Sequence, residues 1–179
     1  MAAIAIYPGT FDPFTNGHMD ILLRSNRIFD TVVVAITTNP KKTPLFTIAE
    51  RKEMIESALS ALKGSVNDSL ANVTVESFEG LLVDYVESTG SIVIIRGLRA
   101  VSDFEYELQM ALLNRRLNPR IDTIFKMPSE EYTFLTSTAI KEIAMLGGSV
   151  KGLVPPNVEK ALIEKTKALG IAAKHSLRQ

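Results

Sequence analysis

The sequence predicts an α/β fold, one doubly wound parallel sheet, on three observations. Apolar runs of strand length alternate with segments of helical period along the chain. The strand runs are apolar at successive positions, as in Val32-Val33-Val34-Ala35-Ile36, the pattern of strands buried on both faces. No repeat, low-complexity tract or internal linker divides the 179 residues. Strands alternating with helices imply parallel pairing, and right-handed crossovers wind such a sheet on both sides.

The elements follow in order. Ala3–Tyr7 is a buried strand that ends at a Pro8-Gly9 turn. Gly17–Phe29 has helical periodicity, with Ile21, Leu22, Ser25 and Ile28 on or near one face. Thr31–Thr37 is the second strand, and Asn39-Pro40 and Pro44 bracket a loop carrying Lys41 and Lys42. Thr47-Ile48-Ala49-Glu50 is a capping box, in which the Thr hydroxyl accepts from the amide three residues on while the Glu reaches back. It opens a helix to about Leu62 that Gly64 ends in a left-handed conformation. After a polar loop over Ser65–Asn72 come a strand over Val73–Phe78 and a short helix over Leu81–Ser88. Ser91–Ile95 is a strand, Ser102–Leu117 a helix and Asp122–Met127 the fifth strand. Ser137–Leu146 is a helix stopped by Gly147-Gly148, and Pro155-Pro156 opens a last helix to about Leu169.

Composition narrows the function. Lys plus Arg and Asp plus Glu each number 20, so there is no basic excess of the kind a general nucleic-acid or membrane-surface binder carries. The chain has no cysteine and only His18 and His175, which excludes thiol nucleophiles and disulfides and disfavours a histidine-rich metal site. Met1–Tyr7 runs into a strand pattern with no basic leader, and no apolar run has bilayer-spanning length, so the expected location is the cytoplasm. Neither G-x-x-x-x-G-K-[ST] nor G-x-G-x-x-G is present.

In open α/β sheets, ligands bind outside the carboxyl ends of the strands, and the distinctive polar residues cluster there. After the first strand, Gly9 permits a tight turn, Thr10 supplies a hydroxyl, and Gly17-His18 starts a helix whose free amides favour an anion. His18 either caps that helix or donates to the anion. After the fourth strand, Arg96 and Arg99 flank Gly97. They either grip phosphates from two sides or pair with Asp103, Glu105 and Glu107 nearby. After the fifth, Thr136-Ser137-Thr138 offers three hydroxyls at a helix start, two more than a cap requires. These parts suit phosphoryl or nucleotidyl transfer, which needs positioning and charge stabilisation more than covalent help.

Thr15-Asn16-Gly17-His18 resembles the T/H-x-G-H signature of the nucleotidyltransferase superfamily. With Tyr7-Pro8-Gly9-Thr10-Phe11-Asp12-Pro13 and Arg96-Gly97-Leu98-Arg99-Ala100, the chain resembles the phosphopantetheine adenylyltransferase family in particular, from Ile4 to about Leu169. The resemblance implies a Rossmann-like nucleotidyltransferase domain over residues 1–171, followed by a polar tail over 172–179. It implies reversible transfer of the adenylyl group of ATP to 4′-phosphopantetheine, giving dephospho-coenzyme A and pyrophosphate. His18, Thr10, Lys42 and Arg99 are its catalytic residues. ATP contacts fall on Thr10, Phe11, His18, Gly97, Leu98, Arg99 and Glu107, and on Tyr132, Thr133, Phe134, Leu135, Thr136, Ser137 and Thr138. Acceptor contacts fall on Thr10, Lys42, Leu82 and Arg96. The second nucleotide motif, usually Ile-Ser-Ser-Ser or Ile-Ser-Ser-Thr, reads Leu135-Thr136-Ser137-Thr138 here, and Lys141 stands where many superfamily members have Arg. The resemblance further implies magnesium carried on the ATP phosphates without protein ligands, a homohexamer, and feedback inhibition by coenzyme A.

Overall fold

The computed structural model describes residues 3–37, 43–63, 70, 72–99 and 101–170. Lys41, Lys42, Gly64, Ala100, most of the 65–72 loop and the tail with His175 lie outside these residues. Five strands, β1 (Ile4–Gly9), β2 (Thr31–Ile36), β3 (Val73–Ser77), β4 (Val93–Gly97) and β5 (Asp122–Lys126), form one sheet in the order β3-β2-β1-β4-β5. Every recorded pairing is parallel. The helices are α1 (Asn16–Ser25), α2 (Ile48–Lys63), α3 (Leu82–Ser88), α4 (Val101–Leu117), α5 (Ser137–Met145) and α6 (Pro156–Ala168).

Period-2 alternation splits the strand side chains between two cores. Ala5, Tyr7, Val32, Val34, Ile36 and Ile95 face one core, filled by α1, α2, α5 and α6 through residues such as Leu22, Ile55, Ile140 and Leu162. Ile6, Val33, Ala35 and Ile94 face the other, with Val83 and Val86 of α3. This is the expected doubly wound sheet. The chain changes sides between β3 and β4, so the strand order reverses at the β1–β4 boundary. That boundary is where a crevice opens beyond the strand ends.

Several boundaries differ from the sequence reading for physical reasons. β1 runs on through Pro8 and Gly9, which pair with Ala35 and Ile36 of β2. On its other side β1 is laddered to β4 only at Ala5 and Ile6, so the missing Pro8 N–H breaks no ladder there. β4 spans Val93–Gly97, not Ser91–Ile95, because Arg96 and Gly97 pair with Phe125 and Lys126. Ser91 lies before the strand, its hydroxyl donating to the Ile4 carbonyl at 2.8 Å. α1 stops at Ser25, capped by Asn26, and Ile28 is 66% exposed instead of lying on the buried face. The Ile28 and Phe29 amides both turn back to the Ser25 carbonyl, which ends the helical period four residues early.

The predicted capping box of α2 is present: the Thr47 amide donates to Glu50 Oε2 at 2.7 Å, and the Glu50 amide to Thr47 Oγ1 at 3.2 Å. Tyr106, Leu112, Leu113 and Leu117 of α4 are exposed, so this apolar face is not core of the chain.

Candidate active site

The β1 exit is shaped by an aromatic cluster. Phe11 has φ 48°, in the left-handed region, and its ring is buried. That ring meets Tyr7 at 5.4 Å, Phe14 at 5.8 Å and His18 at 5.2 Å between centroids. Gly9 owes its identity to this ring and not to a turn, as the sequence reading had it: a Cβ there would lie 2.8 Å from Phe11 Cζ. Because the Phe11 side chain is consumed by packing, any contact it makes with a ligand is through its backbone. The Thr10 hydroxyl makes no hydrogen bond among the described residues, while the Thr10 carbonyl accepts from Arg51 at 2.6 Å.

His18 takes part in the cap of α1 through one ring nitrogen, which leaves the other without a part in it. Thr15 caps α1, accepting from the His18 amide at 3.3 Å, while His18 Nδ1 accepts from the Thr15 amide at 3.0 Å. A backbone N–H only donates, so Nδ1 is bare and the ring proton sits on Nε2. Burial lowers the pKa of His18 to about 3, helped by the charges of Arg99 and Arg96. The imidazole is therefore a neutral donor at neutral pH. Between pH 6.5 and 3 the unfolded chain binds a proton that the fold refuses, so this histidine costs stability as pH falls through that window. Melting temperatures at pH 7 and pH 5 should drop more for the parent than for His18→Gln. Equal drops would mean that His18 protonates freely in the fold.

The two arginines pair with acids nearby in sequence. Arg96 Nε and Nη2 each donate to Glu107 at 2.7 Å, and Nη1 to the Pro8 carbonyl at 2.9 Å. Burial works against its charge, but Glu107 outweighs it and holds the guanidinium above its ordinary pKa. Glu107 is thereby a partner of Arg96, buried rather than on the helix surface. Arg99 pairs with Asp103 through Nε at 2.9 Å and Nη2 at 3.2 Å, and Nη1 donates to the Leu135 carbonyl at 2.8 Å. A guanidinium has five N–H donors, so each arginine keeps two, and both side chains remain about one-third exposed. Gly97 lets α1 approach β4, since a Cβ there would lie 2.7 Å from Ile21 Cδ1. The Leu98 amide donates to the Lys126 carbonyl at 3.0 Å, extending the β4–β5 ladder toward Arg99.

The third segment closes on the other two. A single 3-10 turn, Glu130–Tyr132, brings Tyr132 Cβ to 3.4 Å from where a Cβ on Gly17 would stand, so the start of α1 is closely covered. The Thr133 hydroxyl is used locally, donating to the Glu130 carbonyl at 2.9 Å. Phe134 is 65% exposed and Leu135 is buried. Of the three hydroxyls, Thr136 is the cap of α5, accepting from the Ala139 amide at 2.9 Å. Ser137 donates to the Pro13 carbonyl at 2.8 Å, and Thr138 has no partner among the described residues. The structure thus brings Thr10, His18, Arg96, Arg99 and the start of α5 to one mouth. Leu82 starts α3 and packs, half-buried, against the second core. Lys42 lies outside the described residues.

Three further residues shape the site, and sequence reading gave them no role. Asp12 is buried among the Leu45 and Phe46 amides and Lys141. Arg51 is buried on the Thr10 and Thr37 carbonyls. Asp20 accepts from the Ser129 amide and hydroxyl at 2.9 and 2.8 Å. A lone charge in a helix or loop carries no periodic signal: Asp12 stands between Phe11 and Pro13, but Arg51 stands between Glu50 and Lys52 like any surface helix residue.

A parallel sheet with its crevice at the β1–β4 switch point, a neutral histidine at a helix start and paired arginines define a nucleotidyltransferase. Residues 6–143 match the family described as cytidylyltransferase-like. The phosphopantetheine adenylyltransferase of Alkaliphilus oremlandii is 51% identical over 162 residues, covering 90% of this chain and 98% of its own. Those of Thermodesulfovibrio yellowstonii and Oleidesulfovibrio alaskensis are 52% and 53% identical over 168 and 162 residues, covering 93% and 90% of this chain and 99% and 91% of their own. The chain belongs to the phosphopantetheine adenylyltransferase family and is an adenylyl-transferring enzyme. The fold is shared more widely. A nicotinic acid mononucleotide adenylyltransferase of Plasmodium falciparum, solved with NaAD, superposes with TM-score 0.69 at 15% identity, covering 97% of this chain and 100% of its own.

Proposed function

We propose that the enzyme transfers the adenylyl group of ATP reversibly to 4′-phosphopantetheine by direct in-line attack, giving dephospho-coenzyme A and pyrophosphate. The observation that carries this reading is the neutral Nε2–H donor of His18, fixed by its cap and lying within the field of Arg96 and Arg99. The acceptor phosphate attacks the α-phosphorus, and pyrophosphate leaves. A phosphate monoester is largely deprotonated near neutral pH, so no strong general base is required. Thr10, through its unpartnered hydroxyl, and Lys42 orient the nucleophile. His18 donates to the α-phosphate as charge grows in the transition state. Arg99, with Ser137 and Thr138, holds the β and γ phosphates. The Gly97-Leu98 backbone, Phe11, Glu107 and the 132–136 segment line the nucleotide. Arg96 uses its two remaining donors for the acceptor phosphate, and Leu82 lies against the pantetheine arm.

Among the described residues no three His, Asp or Glu side chains are grouped to hold a metal, so the donor set fits no protein cage. Magnesium fits only as an ion carried by the ATP phosphates, where it supplies charge neutralisation. Among the described residues, no helix is long and apolar enough to cross a membrane. A cytoplasmic enzyme acting as a homohexamer and inhibited by coenzyme A completes the proposal. The exposed apolar face of α4 supports burial against another copy.

The test is pyrophosphate release from ATP and magnesium with 4′-phosphopantetheine, beside nicotinamide mononucleotide and no acceptor. Release with phosphopantetheine alone, with dephospho-coenzyme A as product, is the expected result. Release with the mononucleotide instead would overturn the acceptor assignment.

A further inference from the structure

The Asp12 carboxylate is 6% exposed, yet it ties its own loop to two other parts of the chain. It belongs to the loop that leaves β1. Its oxygens accept from the Leu45 amide at 3.1 and 3.0 Å and from the Phe46 amide at 3.0 Å. Oδ2 also receives Lys141 Nζ, from the second turn of α5, at 2.5 Å. Arg51 lies alongside, donating to the Thr10 carbonyl at 2.6 Å and the Thr37 carbonyl at 3.3 Å. A buried carboxylate of this kind is held by its partners, and a charge left without one is costly. Moving any one of the three segments therefore disturbs the other two. Leu45 and Phe46 end the loop that follows β2, on the acceptor side of the crevice. Lys141 sits one turn after the Thr136–Thr138 hydroxyls, on the nucleotide side.

We propose that Asp12 is a positioning residue that couples the loop ahead of α2 to α5, so that the acceptor-side and nucleotide-side contacts are held in one register across the transfer. This rests on the reading of the crevice given above. Asp12 touches no reacting atom. Its effect is geometric, and in transfer between two bound groups a misplacement of about 1 Å costs on the order of a hundredfold in rate.

Three variants and two readouts test it. Asp12→Asn keeps the shape but turns an amide toward donors. Lys141→Met removes the tie from α5 alone, and Lys141→Arg restores a cation able to reach the carboxylate. The first readout is amide hydrogen exchange at Leu45 and Phe46, which needs no substrate and so stands even if the acceptor assignment fails. Lys141→Met should speed exchange at both amides at least fivefold, although residue 141 is on another element, and Lys141→Arg should restore protection. The second is pyrophosphate release at saturating ATP and acceptor. Asp12→Asn should lose about a hundredfold in kcat and Lys141→Met about tenfold, with ATP affinity within threefold of the parent. Lys141→Arg should stay within threefold in turnover. Unchanged exchange at Leu45 and Phe46 in Lys141→Met overturns the coupling, whatever the activity. So does a Lys141→Arg protein as impaired as Lys141→Met. Should Asp12→Asn not fold, the two Lys141 variants decide the matter alone.

Discussion

His18→Ala should lower kcat by about a hundred- to a thousandfold, or about 2.7 to 4 kcal/mol of barrier, while ATP binding changes little. The expectation follows from the division of labour in the ring. Nδ1 is spent on the Thr15 amide, so removing the ring also loosens the start of α1. The part proposed to act on rate is Nε2–H, a neutral donor near pH 7 because burial has already removed the charge. A donor acting mainly on charge that develops during transfer contributes to kcat more than to substrate affinity. Rate measurements at saturating ATP and acceptor, paired with equilibrium ATP binding, separate the two. A kcat within threefold of the parent, with weakened ATP binding, would assign His18 to ground-state binding only.

Arg96→Ala should injure both stability and activity, by mechanisms that a second substitution separates. Removing the guanidinium leaves the Glu107 carboxylate, 11% exposed, without its bidentate partner and the Pro8 carbonyl without its donor. Breaking such a pair costs about 3 kcal/mol, the low end of the usual range because Arg96 keeps some access to water. For a chain of this length that lowers Tm by roughly 6 to 12 °C. Replacing both partners, as Arg96→Met with Glu107→Leu, should recover at least half of that loss, because no charge is then stranded. Activity should stay as low as in Arg96→Ala, since the arginine proposed for the acceptor phosphate is still missing. Thermal melts beside turnover at varied acceptor concentration check this. Recovery of activity along with stability would make Arg96 purely structural.

The fold was legible because its signals are periodic and local. Apolar runs marked β1, β2 and β4, and the Thr47–Glu50 box and the Pro156 start marked helix ends that the structure reproduces. What failed was local in another way. The end of α1 was misjudged because Ile28 continues an apolar period after the backbone has already turned on Ser25. Pro8-Gly9 reads as a turn in any one-dimensional window, and only the missing β4 neighbour beyond Ile6 makes it a strand end. The site was legible as motifs after strands, and of the alternatives left open for His18, Arg96 and Arg99 the structure shows the cap and the ion pairs. The connections through Asp12, Arg51 and Asp20 were not, because the partners lie 33, 41 and 109 residues away and nothing in the spacing announces them.

Arg96 also closes a gap in the sheet. Between β1 and β4 the backbone ladder is recorded only at Ala5 and Ile6, and beyond it the Pro8 carbonyl is bound by a side chain instead of a strand. The separation of the two strands at the mouth is therefore set by the reach of one guanidinium braced on Glu107. A lysine in its place would preserve the charge but reset that spacing, because a single ammonium cannot brace on Glu107 in the same bidentate way while spanning to Pro8. The width of the crevice is in this sense encoded in one side chain, while each of the two strands stays laddered to its outer neighbour up to the mouth, Gly9 to Ile36 and Gly97 to Lys126.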